Sequence, residues 1–171
     1  MPKPILLGYA SRYGSTREVA EAVAVILSDK GLEVDLQPLR KVRSLDGYRA
    51  VVLGAPLYIG RWLKDARRFL SRHREALAKL PVALFTLGPL KKDEKDWADV
   101  QAQLDKVLAK HSWLKPVASE LFGGKFDPAK LRFPYKLLVT LPASPLHRMP
   151  ASDVRDWEKI RAWAAGLARK L

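Results

Sequence analysis

Apolar residues along this 171-residue chain fall into short unbroken runs separated by longer stretches of helical spacing. Ile5-Leu6-Leu7-Gly8-Tyr9-Ala10 shows no alternation, as a strand covered on both faces requires. From Thr16 to about Lys30, Val19, Val23, Ile26 and Leu27 share one helical face, and Gly31 supplies the stop. Leu32-Glu33-Val34-Asp35-Leu36 alternates, which predicts an edge strand. Arg49 to Ala55 predicts the next buried strand. Leu63, Ala66, Leu70 and Leu77 mark a helix covered in Arg and Lys. Pro81 to Leu87 predicts a fourth strand, and Trp97, Val100, Leu104, Val107 and Leu108 another helix. Lys115 to Phe122 predicts a fifth strand that stops at Gly123-Gly124.

A non-periodic segment, about 125–152, carries Pro128, Pro134, Pro142, Pro145 and Pro150. Ser152 and Asp153 are expected to cap a last helix that turns Val154, Trp157, Ile160, Ala164 and Leu167 inward. Five successive βα units predict an α/β architecture over 1–171: one domain built on a doubly wound, five-stranded parallel sheet. Right-handed crossovers place helices on both faces. Ligands in such sheets sit at the carboxyl ends of the strands, near the point where strand order reverses. The loops after strands one, three, four and five are therefore the ones to inspect.

Composition narrows the chemistry. The absence of cysteine rules out disulfides, thiolate zinc sites, cysteine-ligated clusters and thiol nucleophiles. His73, His111 and His147 lack metal-ligand spacing such as H-E-x-x-H, so no metal is expected. His73 is expected on the basic helix and His111 at a helix end. No serine stands in a G-x-S-x-G context. Asp93, Glu94 and Asp96, beside Lys91, Lys92 and Lys95, read as a solvated loop and helix start. No residue is singled out as a general base, and the catalytic residues are left unassigned. No stretch approaches the roughly 20 apolar residues of a membrane span. Met1-Pro2-Lys3-Pro4 leads straight into a strand and a glycine turn, unlike a signal peptide, so a cytoplasmic location is expected.

The loop after the first strand, Ser11-Arg12-Tyr13-Gly14-Ser15-Thr16, is the most informative. Gly14 permits a tight turn and a close approach of backbone to ligand. Ser11, Ser15 and Thr16 offer hydroxyls, and Thr16 opens a helix whose free N–H groups attract an anion. The Walker pattern G-x-x-x-x-G-K-[ST] is absent, because Gly8 to Gly14 has the wrong spacing and no lysine follows. The dinucleotide pattern G-x-G-x-x-G is absent too. An ordinary capped turn and a lysine-free phosphate site both remain open from these residues.

Tyr9 to Thr16 resembles the phosphate loop of flavodoxin-like proteins. It is especially similar to the flavodoxin-domain proteins grouped with the quinone-dependent protoporphyrinogen dehydrogenases. The resemblance implies the strand order 2-1-3-4-5 and an FMN whose phosphate is held by Ser11, Arg12, Tyr13, Gly14, Ser15 and Thr16. Gly54-Ala55-Pro56-Leu57-Tyr58-Ile59-Gly60-Arg61-Trp62 is similar to the family's second flavin loop. Pro56, Leu57, Tyr58, Ile59, Gly60 and Trp62 become cofactor candidates, with Tyr58 or Trp62 as a flat apolar wall. Thr86, Leu87 and Gly88 would bracket the other side of the ring, and Gly123 and Gly124 would line the same cleft. The resemblance is looser over 125–152, which occupies the place of the family's variable insertion. It implies an oxidoreductase, with protoporphyrinogen IX as substrate and a quinone as acceptor, and a part in heme biosynthesis.

Charge bears on the partners. The net charge of +13 and isoelectric point near 10.1 fit an anionic small substrate, an anionic membrane surface or nucleic acid. Nucleic acid ranks last, since no recognition motif appears. A basic chain also departs from the acidic carriers of the flavodoxin group. Arg61, Lys64, Lys91, Arg132 and Lys136 are candidates for gripping an anionic substrate that enters between the loops at 56–62, 88–92 and 123–135. Within the insertion, Lys125, Lys130, Arg132, Lys136 and Arg148 are interleaved with Phe126, Leu131, Phe133, Tyr135, Leu137, Leu138, Val139 and Leu141. That mixture fits peripheral contact with the inner face of an anionic membrane, a hydrophobic carboxylate-bearing substrate, or a loop packed on its own domain. A flavodoxin-type electron-transfer protein with an acidic partner, and a non-catalytic binding module of the same fold, are the alternative functions.

Overall fold

A computed structural model describes residues 2–133, 135–144 and 146–171, and the backbone alone of Tyr135. Pro134, Pro145 and the Tyr135 side chain, named above in the insertion, lie outside the described residues. The elements run β1 (Ile5–Tyr9), α1 (Ser15–Asp29), β2 (Val34–Pro38), β3 (Ala50–Tyr58), β4 (Arg61–Trp62), α2 (Lys64–Arg72), α3 (Arg74–Leu77), β5 (Val82–Leu87), α4 (Glu94–Lys110), β6 (Ala118–Phe122), β7 (Lys125–Phe126), α5 (Tyr135–Thr140), β8 (Ser152–Asp153) and α6 (Trp157–Leu167).

The main sheet has the order β2-β1-β3-β5-β6, all parallel, with the two-residue β4 folded back on β3. Counted by its parallel strands alone, this is the expected order 2-1-3-4-5. The unbroken apolar runs have the expected cause. Leu6, Val51, Leu53 and Leu84 face a cluster with Ala66, Phe69 and Leu70 of α2 and Leu104 and Val107 of α4. Their neighbours Ile5, Leu7, Val52 and Phe85 face the opposite cluster, with Val19, Val23 and Leu27 of α1 and Ile160, Ala164 and Leu167 of α6. Every second residue serves a different layer, so no polar alternation survives. Edge strand β2, half-buried throughout, keeps its alternation.

Several boundaries differ from expectation, each for a local reason. β3 continues through Pro56 and Leu57 to Tyr58, because the chain returns as the β4 hairpin and pairs Leu57 with Trp62. The basic helix breaks at His73, which is buried beside Phe69; burial and the neighbouring Arg72 charge hold its pKa below the ordinary histidine value. Ser152 and Asp153 do not cap α6. Their backbone pairs with Lys125 and Phe126, and the cap is Asp156, whose carboxylate accepts from Lys159 N–H at 3.0 Å. The segment 125–152 is not wholly irregular: the β7–β8 ladder closes its base and α5 lies within it. Among the described residues, no helix is long and apolar enough to cross a membrane.

Tight packing beside β3 gives a direct test. A Cβ on Gly54 would lie 2.0 Å from Phe85 Cζ, and the Phe85 ring is itself wedged against Phe122 and Trp163. Overpacking a closed core costs about 1–3 kcal/mol. Gly54→Ala is expected to lose stability of that order in urea unfolding, and an unchanged midpoint would contradict this packing.

Candidate functional site

The parallel arrangement brings the loops after β1, β3, β5 and β6 to one edge of the sheet. The first of these turns at Gly14, whose φ of 91° is the left-handed conformation that favours glycine. Ser11 Oγ accepts from Gly14 N–H at 3.0 Å and holds the turn closed. The first intrahelical bond of α1 runs from Glu18 N–H to Gly14 C=O. The amides of Ser15, Thr16 and Arg17 precede it, so the helix offers them no acceptor. Thr16 is 1% exposed, and its Oγ1 is buried without a hydrogen-bond partner. An unsatisfied buried hydroxyl costs about 1–3 kcal/mol. A buried hydroxyl, a row of free amides and the positive end of a helix dipole together fit a phosphate. The chemistry of these residues suits the phosphate of a phosphorylated cofactor.

The second loop is a hairpin. Ile59 and Gly60 both take positive φ, 50° and 70°, as a two-residue turn between twisted strands demands. For glycine this is free; for a β-branched residue it is strained by about 1–3 kcal/mol. Ile59 is also 80% exposed. Tyr58, just before the turn, is half-buried, whereas Trp62 is in the core and its indole N–H donates to Thr86 Oγ1 at 3.1 Å. Of the two aromatic candidates, only Tyr58 presents a ring at the surface.

The third and fourth loops are bound to each other. Thr86 and Leu87 are buried, so their side chains face the interior. Gly88 N–H donates to Phe122 C=O, and Gly124 N–H donates to Pro89 C=O at 2.7 Å. A Cβ on Gly123 would meet the Val154 carbonyl at 2.2 Å, and one on Gly88 would meet Val100 at 2.4 Å. Close packing thus accounts for these glycines. The Asp96 carboxylate accepts from the amides of Leu90 and Lys91, so this member of the expected charge run fixes the 88–92 loop. His111 closes α4, as expected, with Nδ1 at 2.9 Å from the Val107 carbonyl. Among the described residues, no group of three or more acidic or histidine side chains is placed to hold a metal.

The insertion reaches the first loop, where Arg132 N–H donates to Tyr13 Oη at 3.3 Å. Arg61, Lys64, Lys91, Arg132 and Lys136 are all exposed. Within the insertion, Phe133, Leu137 and Leu141, spaced four apart, are 79%, 54% and 45% exposed. Sequence reasoning missed Arg155. Its guanidinium, almost wholly buried, holds Asp153, Glu18 and the Ser15 carbonyl. That contact keeps the Asp153 carboxyl below its usual pKa. The only signal in the chain was an arginine flanked by Asp153 and Asp156 just ahead of a helix.

Comparison with known proteins agrees with this geometry. The flavodoxin-domain family matches residues 6–149, and the chain belongs to it. It is 23% identical over 169 residues to the protoporphyrinogen IX dehydrogenase [quinone] of Escherichia coli K12, covering 95% of this chain and 93% of that one. Oxidised flavodoxin 1 from Bacillus cereus superposes with a TM-score of 0.61 at 16% identity, covering 98% of this chain and 99% of that chain. Oxidised flavodoxin 2 from Bacillus cereus gives 0.60 at 21% identity with the same coverage. The family is one of flavin-binding redox domains.

The unpartnered hydroxyl makes a prediction without any ligand. Thr16→Val replaces an unsatisfied buried group with a methyl of like shape, a change that is neutral or stabilising. Flavin-free Thr16→Val is expected to melt at or above the wild-type temperature. A fall of several degrees would show that the hydroxyl already has a partner.

Proposed function

From its membership of the flavodoxin-domain family, we propose that this chain binds FMN and is an FMN-dependent oxidoreductase. The buried, unpartnered Thr16 hydroxyl at the start of α1 carries this reading. Thr16 Oγ1, Ser11 and the amides of residues 15–17 would hold the phosphate, with Arg12, Tyr13 and Gly14 around it. Tyr58, Ile59 and Gly60 would lie against the ring, with Pro56 and Leu57 as the strand beneath them. Trp62, Thr86 and Leu87 support that wall from the interior, and Gly88, Gly123 and Gly124 form the opposite rim. Bound FMN would supply electron exchange in one- or two-electron steps; the protein's part is to bind it, orient it and exclude water from one face.

The substrate we propose is hydrophobic and bears carboxylates, with protoporphyrinogen IX as the specific candidate and a quinone as acceptor. The name of the Escherichia coli relative and the basic rim of Arg61, Lys64, Lys91, Arg132 and Lys136 support it. Exposed Phe133 and Leu137, next in sequence to Arg132 and Lys136, and exposed Leu141 also fit peripheral contact with an anionic bilayer, where a lipophilic quinone resides. A second reading is a flavodoxin-type electron carrier; the net charge of +13 departs from the acidic carriers of that group, so its partner would have to be acidic.

A charge-assisted hydrogen bond contributes about 1.5–3 kcal/mol, or roughly ten- to a hundredfold in affinity. Thr16→Ala and Ser11→Ala are expected to weaken FMN by about tenfold or more, with riboflavin, which lacks the phosphate, affected much less. Equal losses for both ligands, read by quenching of flavin fluorescence, would remove the phosphate assignment. For the membrane contact, the chain should sediment with phosphatidylglycerol vesicles at low salt, less so as Phe133→Ser/Leu137→Ser. No sedimentation at low salt would exclude it.

A further inference from the structure

We propose that Arg155 is the positioning residue of the phosphate loop, setting FMN affinity through the phosphate alone without touching the cofactor. The inference rests on the FMN reading above. Arg155 stands between β8 and α6, 140 residues from the first turn of α1 that it holds. Its Nε and Nη2 donate to the two oxygens of Asp153 at 2.9 and 2.7 Å, a forked pairing that fixes the guanidinium plane. Nη1 then donates to Ser15 C=O at 3.1 Å and to Glu18 at 2.9 Å. The side chain is 3% exposed, and its flat face lies 4.8 Å from the Trp157 ring.

Two consequences follow for a bound anion. A planar trans peptide points its C=O and N–H in opposite directions. Fixing the Ser15 carbonyl therefore fixes the direction of the Thr16 amide, which points out of the helix N-terminus. Ser11 holds the same turn from the other side, through Gly14 N–H. Arg155 and Ser11 together leave the Thr16 peptide little freedom to tilt away from a ligand. The second consequence is electrostatic. Glu18 puts a carboxylate in the turn that receives a phosphate dianion, and like charge there weakens binding. Arg155 neutralises it across a 2.9 Å contact. Lysine replaces this function only in part: its ammonium keeps the charge but lacks the fork that grips Asp153 and the α1 turn together.

The same guanidinium is tied to the insertion. Asp153 belongs to β8 and pairs with Lys125 of β7, at the base of segment 125–152. Arg155 thus anchors that base and the phosphate loop to one point.

The test compares FMN with riboflavin in wild type, Arg155→Gln, Arg155→Lys, Glu18→Gln and the Arg155→Gln/Glu18→Gln pair, with circular dichroism melts to confirm folding. Arg155→Gln should cut the preference for FMN over riboflavin by about tenfold, chiefly by weakening FMN. Arg155→Lys should lose a smaller part of it. Glu18→Gln should keep or raise the preference, and the pair should recover part of what Arg155→Gln loses. If folded Arg155→Gln or Arg155→Lys keeps the wild-type preference, or weakens both ligands by the same factor, Arg155 merely fastens α6 to α1 and the proposal fails. Should Arg155→Gln not fold, the Arg155→Lys result decides. If wild type itself shows no preference for FMN, the phosphate reading falls first and this inference with it.

Discussion

A buried polar group without a partner is the constraint on which the site turns. Thr16 is sealed into the start of α1 with its hydroxyl unsatisfied, beside amides that precede the first intrahelical bond. Protein interiors rarely tolerate such groups, and those that persist belong to places where something else completes them. Much around Thr16 keeps it presented in this way. Gly14 supplies the left-handed turn, Ser11 closes that turn, and Arg155 holds the next carbonyl. An anion with several acceptor oxygens would satisfy these groups together, which a single water would not.

The sheet determines where that loop lies. Strands buried on both faces need a helical crossover between parallel neighbours, and each crossover returns its next loop to the same edge. The phosphate loop, the strained Ile59-Gly60 turn and the mutually bonded loops at 88–92 and 123–124 thereby come to one rim. Segment 125–152 leaves from that rim and returns to it through the β7–β8 ladder. Arg132 of this segment reaches Tyr13 of the first loop.

Much of this was legible in the chain because local rules agreed with the global fold. The unbroken apolar runs, the stop at Gly31 and the glycine-hydroxyl loop each follow from short-range physics, and the strand order followed once the loop's resemblance was in hand. What escaped depends on distant partners or on broken rules. Nothing near Trp62 shows that its indole bonds Thr86, 24 residues on, and so lies inside. Ile59 is a poor residue for positive φ, so only Gly60 marks the hairpin turn locally. α5 is only six residues long, too short for a periodic pattern to emerge. Ser152, Asp153 and Asp156 are all good capping residues, and only the pairing of 152–153 with 125–126 decides among them. Arg155 acts over 137 and 140 residues and leaves almost no local trace.

The most direct measurement of the central claim is a calorimetric titration of the flavin-free wild-type chain with FMN and, separately, with riboflavin. Saturable one-to-one FMN binding at micromolar concentration or tighter, with riboflavin at least about tenfold weaker, is the predicted result. No saturable binding of FMN, or equal affinity for the two flavins, would contradict it.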